Sequence, residues 1–237
     1  FYREYFKQYK GMFDRIFLMG VSPVTLDDLS SGYNIDWNIS TDCRFNAMMG
    51  FSETGVRKMF QYYQDSSMLT GDVEAMIAGM KPWYDNYCFA RMSLNDDRVF
   101  NCDMTLYYLS SQVQKHCVPE DMVDKNIRTD YSKLKMLARI DHDGSHEGSR
   151  MSTIEEIAAK GEILVNLHTS FPAEKVADID NFRSLLYYYG LLTMCGTRGD
   201  LIRMCIPNHC VREQYFGFLR DYYQKYSSID LHYLNVM

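Results

Sequence analysis

The run Arg15 to Val21 (RIFLMGV), closed by Ser22-Pro23, is the feature that most restricts the fold. Continuous apolar runs without polar alternation suit a strand buried on both faces. Such a strand needs a neighbour on each side, and nothing near it in this sequence reads as a parallel partner. The expectation is that the partners precede Phe1, and that the chain holds the edge of an α/β core rather than a whole one.

The rest reads mostly as helix. Val56, Met59, Phe60 and Tyr63 stand at i, i+3, i+4 and i+7 behind Ser52, a capping residue. Val73, Met76, Ile77 and Met80 repeat the spacing behind Asp72, and Pro82 is expected to stop that helix. The aromatic stretch WYDNYCF (83–89) follows as a turn in which Asn86 can take a left-handed conformation. Further helices are expected from about Asp103 toward Val113 and from about Tyr131 to Arg139. Ser152 with Glu155, and Thr153 with Glu156, both fit a capping box, so a helix is expected to open there and to close at Gly161.

The last third orders a helix (Asn181 to Tyr189), a strand (LLTMC), a turn (GTRGD), a second strand (LIRMCI) and a helix from His209 to Arg220. Two strands around a Gly-rich turn predict a hairpin. Helix, hairpin and helix together suggest a winged-helix-like module, with a boundary near 141–151.

Composition excludes several classes. Of 237 residues, 46% are apolar and 24% charged, a balance that belongs to a folded globular chain. Lys and Arg number 25 against 31 Asp and Glu, a net of −6, which disfavours a surface built to neutralise phosphates. No apolar stretch approaches the roughly 20 residues of a bilayer span. Seven cysteines without a C-x-x-C pair fit a reducing cytoplasm.

No complete catalytic motif is present. The chain lacks G-x-x-x-x-G-K-[ST], G-x-S-x-G and H-E-x-x-H. The loop DHDGSHEGS (141–149) offers Asp141, His142, Asp143, His146 and Glu147, but its sixth position is His146 where a calcium loop needs Gly, and a solvated loop outweighs a zinc site. The cysteines read as small buried hydrophobes, and Tyr and Phe on helical faces read as core. Ser22 stays open between two readings: a strand-ending turn, or a hydroxyl at the ligand-binding end of an α/β strand.

Taken in order, FLMGVSPVTLDDLSSGYNI (17–35), FNAMMGFSETGV (45–56), KPWYDNYCF (81–89), VFNCDMTLYYL (99–109), DKNIRTDYSKL (124–134), FRSLLYYYGLLT (182–193) and IPNHCVREQYF (206–216) resemble the bacterial AAA-ATPase-like family whose members often carry a C-terminal PD-(D/E)XK nuclease domain. The resemblance covers almost the whole chain. It implies a mainly α fold with minor β: the end of a P-loop core strand in 1–40, a helical region in 41–150 and a winged-helix-like region in 151–237. It further implies ATP and Mg²⁺ bound by a P-loop and Walker B acids before Phe1, none bound by this stretch alone, and a nuclease-like domain after Met237 with nucleic acid as the whole protein's substrate. Ser22 becomes the residue that senses the nucleotide. Trp83, Tyr84, Asp85, Asn208 and Arg212 are family-motif residues without an assigned role. So are Asn126, Arg128 and Asp130, for which an interdomain ion-pair cluster and a nucleotide contact are equally open. Three positions depart from the pattern: Asn86 for Gly, Cys102 for Pro and Gly55 for Glu. A non-enzymatic winged-helix adaptor or DNA-binding module is the competing reading.

Overall fold

The computed structural model describes residues 12–17, 19–20, 37–96, 98–124, 134 and 150–226. Six helices and two small antiparallel sheets make up the described chain. Helix α1 (Glu53–Asp65) starts where Ser52 accepts a hydrogen bond from the Gly55 amide at 3.1 Å, so the missing glutamate of a capping box is not needed. Helix α2 (Val73–Tyr84) starts on Asp72, which accepts from the Glu74 amide. Helix α3 (Cys102–Lys115) starts on Asn101, whose side chain takes the Met104 amide in place of the preorganisation a proline gives, and His116 ends it at a φ of 53°.

Pro82 does not end α2, which continues to Tyr84. A proline this close to the C-terminus removes one hydrogen bond, to the carbonyl of exposed Ala78, and Asp85 N still closes the last turn on Lys81 O. Strands β1 (Phe51–Ser52) and β2 (Val99–Phe100) pair antiparallel in front of these helices. Val56, Phe60, Ile77, Met80, Tyr84 and Phe100 anchor the core they share.

The second half contains α4 (Arg150–Lys160), β3 (Glu162–Val165), α5 (Ile179–Tyr188), β4 (Thr193–Arg198), β5 (Leu201–Cys205) and α6 (His209–Tyr226). The β4–β5 hairpin turns at Gly199-Asp200, and β3 pairs with the far side of β5 to give the order β3-β5-β4. Helix α4 already runs at Arg150, so Ser152 and Thr153 lie inside its first turn rather than capping it. Buried Arg150 fixes that start: Nη2 donates to Val176 O, and the guanidinium lies 5.3 Å from the Phe182 ring. Gly161 ends α4 at a φ of 74° with its amide on Ile157 O. A second core forms around Ile157, Val165, Phe182, Leu186, Met204 and Tyr215.

The two cores exchange one cysteine each. Cys88, from the segment after α2, is buried with the sheet, and Cys210, at the start of α6, is buried with α1, α2 and α3.

Residues 15–17, 19 and 20 form no strand, and Ile16, Phe17 and Met19 are 46%, 64% and 78% exposed. A strand exists only through hydrogen bonds to a neighbour, and none of the described residues pairs with them. The expected helix at 131–139 and the loop at 141–149 fall outside the described residues, apart from helical Leu134.

Candidate functional site

The family-motif residues Trp83, Tyr84, Asp85 and Asn208 come together where α2 ends and α6 begins. Asp85 leaves the helix in an extended conformation, and Asn86 at a φ of 84° redirects the chain. Asn86 Nδ2 then donates to Pro207 O at 2.8 Å, while Asn208 Nδ2 donates to Asp85 O at 3.0 Å. Two amides therefore tie the two turns in opposite directions. Asn208 also caps α6, its Oδ1 accepting from Val211 N at 3.2 Å. Trp83 meets His209 edge-on with ring centroids 5.3 Å apart, and the Tyr84 hydroxyl donates to Met122 O at 2.7 Å. Arg212 is exposed one turn further along α6.

Past Asn86 the chain is fastened on both sides. Cys88 N donates to Thr193 Oγ1 at 2.8 Å, and Asn46 Oδ1 accepts from both Phe89 N and Ala90 N. The Tyr187 hydroxyl donates to Phe89 O at 2.7 Å. Asn46 is buried for this purpose.

Beside the junction lies a groove of about 750 Å³ lined by Glu53, Arg57, Lys81, Asp85, Asn86 and Arg98 among others. Its charges are mutually engaged. Arg57 reaches Glu74 through Nε at 2.5 Å and Glu53 through Nη2 at 2.9 Å, and Lys81 Nζ donates to Glu53 Oε2 at 2.6 Å. Lys81 and Arg57 hold the Glu53 carboxyl below its ordinary range. Arg98 spends its guanidinium on Met194 O at 3.0 Å and Leu94 O at 3.1 Å.

Asp85 differs from these. It is 5% exposed, its Oδ1 has no hydrogen-bond partner, and Oδ2 lies 3.9 Å from Lys81 Nζ. Burial pushes its carboxyl upward, opposed by the Asn86 amide and the Lys81 charge.

This arrangement can lock two halves of a chain together and answer to charge in the groove. Among the described residues, no group of three His, Cys, Asp or Glu side chains that could hold a metal occurs, and Arg57, Lys81 and Arg98 are engaged with carboxylates and carbonyls. Ser22, Asn126, Arg128 and Asp130 lie outside the described residues. Sequence reading missed Glu53, Arg57, Lys81 and Arg98. The spacings of four from Glu53 to Arg57 and from Lys81 to Asp85 were the available signals, since the contacts of Arg57 with Glu74 and of Lys81 with Glu53 bridge separate helices.

No family model, curated protein or solved structure matches this chain. Among the described residues, no helix is long and apolar enough to cross a membrane.

Proposed function

We propose that the chain is the sensing and transmitting portion of an AAA-like ATP-binding protein. The observation that carries this reading is the reciprocal Asn86–Pro207 and Asp85–Asn208 lock, which joins the helical half to the sheet-bearing half at residues of the family motif. A rigid junction of this kind passes a displacement of one half to the other without local give. The order α4, β3, α5, β4, β5 with the sheet β3-β5-β4 supports a winged-helix-like second half. On this reading ATP and Mg²⁺ belong to sequence before Phe1, Ser22 senses the nucleotide, and a nuclease-like domain acting on nucleic acid follows Met237.

The competing DNA-binding reading asks for a recognition helix with a face open to the major groove. Helix α5 holds the corresponding place, and none of its residues is exposed; Asn181, Phe182, Ser184, Leu185, Leu186 and Tyr187 are all buried. That favours transmission over direct DNA reading.

The test is ATP binding and hydrolysis by the longer protein beside this 237-residue chain. Hydrolysis confined to the longer protein, with Ser22→Ala lowering turnover more than nucleotide affinity, is the expected result. Equal silence in both overturns the ATPase reading, and unchanged turnover in Ser22→Ala removes that residue from the mechanism.

A further inference from the structure

A β-bulge interrupts the β4–β5 ladder. Met194 pairs with Met204 and Gly196 with Arg203, leaving Cys195 as the extra residue. Cys205 pairs with Thr193 on one side and Glu162 on the other. Met204 and Ile202 point into the core, so Cys205 and Arg203 occupy the opposite face of the sheet. The bulge brings Cys195 to that same face, beside Cys205, where its thiol donates to Arg203 O at 3.3 Å. Both cysteines are half-buried, neither sealed in the core nor fully open.

We propose that Cys195 and Cys205 form a thiol–disulfide exchange site for small disulfides of the glutathione class, with Cys195 as the attacking sulfur and Cys205 as the resolving thiol. The charged groups around the pair set these roles. Arg203 on β5 and Glu162 on β3 flank it, and the Arg98 charge acts on Cys205 from the loop before β2, where its guanidinium donates to Met194 O and Leu94 O. Cys205 beside it and then the Arg203 guanidinium draw the Cys195 thiol downward against the effect of burial, whereas its neighbour Cys195 and then burial push the Cys205 thiol upward.

The exchange balances without any group from the rest of the protein. The Cys195 thiolate attacks one sulfur of glutathione disulfide, forming a Cys195–glutathione bond and expelling a glutathione thiolate, which takes a proton from solvent. Cys205 then loses its proton to solvent, attacks the Cys195 sulfur and expels the second glutathione. Two protein thiols are oxidised to one disulfide and one glutathione disulfide is reduced to two thiols. The product cross-links the bulge to the neighbouring strand.

The experiment uses the full chain, reduced and then titrated with glutathione disulfide at neutral pH, followed by mass mapping of the cysteine peptides. Wild type is expected to lose two hydrogens between the peptides carrying Cys195 and Cys205. Cys205→Ser is expected to stop at a glutathione adduct on Cys195, and Cys195→Ser to leave Cys205 reduced. Iodoacetamide added to the reduced chain at limiting dose is expected to label Cys195 ahead of Cys43 and Cys117, although those two are the exposed cysteines. A wild-type chain that accumulates only glutathione adducts, or labels Cys195 no faster than Cys43 and Cys117, overturns the proposal. The mapping and the labelling both read wild type directly, so the outcome stands even where either variant folds poorly.

Discussion

Asn208 binds Asp85 across 123 positions of sequence while capping its own helix: Nδ2 donates to the Asp85 carbonyl at 3.0 Å and Oδ1 accepts the Val211 amide at 3.2 Å. One side chain therefore starts α6 and places it against the end of α2. Its two halves are separable by substitution. Asn208→Ala loses both, at about 2 kcal/mol from a lost cap and a lost buried hydrogen bond. Asn208→Asp keeps an acceptor for the cap and loses the donor, and is expected to cost less than the alanine variant. Urea unfolding of the three chains checks the order; aspartate as damaging as alanine would show that the cap contributes nothing.

Asp85 gives the junction a pH dependence. Its folded carboxyl is pushed above the ordinary 3.8 by burial. A group shifted this way contributes fully below its unfolded value and loses that contribution as pH rises through its folded value, because the ionised form is the one burial disfavours. Asp85→Asn holds the neutral form at every pH. The variant is expected to be the more stable chain at neutral pH, with the difference closing as pH falls toward 4. Urea midpoints at the two pH values test this, and a variant less stable than wild type at neutral pH, with the gap closing toward pH 4, would mean that Lys81, at 3.9 Å, stabilises the carboxylate more than burial penalises it.

Two buried tyrosines separate the worth of a hydroxyl from the worth of a ring. The Tyr187 hydroxyl donates to Phe89 O, so Tyr187→Phe strands a carbonyl and is expected to cost about 1–3 kcal/mol. The Tyr215 hydroxyl is buried without a partner, and Tyr215→Phe is expected to be neutral or stabilising by up to about 1 kcal/mol. Paired unfolding curves decide it. A Tyr215→Phe loss equal to that of Tyr187→Phe would show that its hydroxyl is satisfied in solution.

The helical spacing made the first half of this architecture readable. Val56 and Phe60, and Val73, Ile77 and Met80, are buried where the spacing places them, and Ser52 and Asp72 cap as polar residues ahead of an apolar face do. The hairpin was legible too, although the expected turn GTRGD (196–200) narrows to Gly199-Asp200, because Gly196, Thr197 and Arg198 pair with β5. Glu162–Val165 was not, since four residues carry no usable alternation and β3 exists through its pairing with β5. The capping boxes at Ser152 and Thr153 misplaced the start of α4 because Arg150 is held from outside the helix, by Val176 and Phe182. Of the site, the aromatic motif and Asn86 stood out in the sequence. Their partners Pro207 and Asn208 lie more than a hundred residues away, a separation that no local pattern encodes.

Two glycines on neighbouring elements carry opposite predictions, and together they test how tightly the helical half is packed. A Cβ added at Gly50 would sit 2.5 Å from Val99 Cγ2 and 2.9 Å from Phe100 O. The second of these is backbone of β2, paired with β1 at Phe51, so neither neighbour can retreat without opening the ladder. Gly50→Ala is therefore expected to destabilise by about 1–3 kcal/mol, the range for overpacking a well-filled site. Gly79 is an exposed residue inside α2, and a Cβ there meets nothing within 4 Å. Gly79→Ala removes backbone freedom from the unfolded chain and is expected to stabilise by about 1 kcal/mol. Because α2 ends in the Asp85–Asn86 junction, this stabilisation should also slow amide exchange at Asp85 N, which closes the helix on Lys81 O at 3.1 Å. Slower exchange confined to the middle of α2 would show that the junction opens independently of the helix that leads into it, and would separate the lock from the element that presents it.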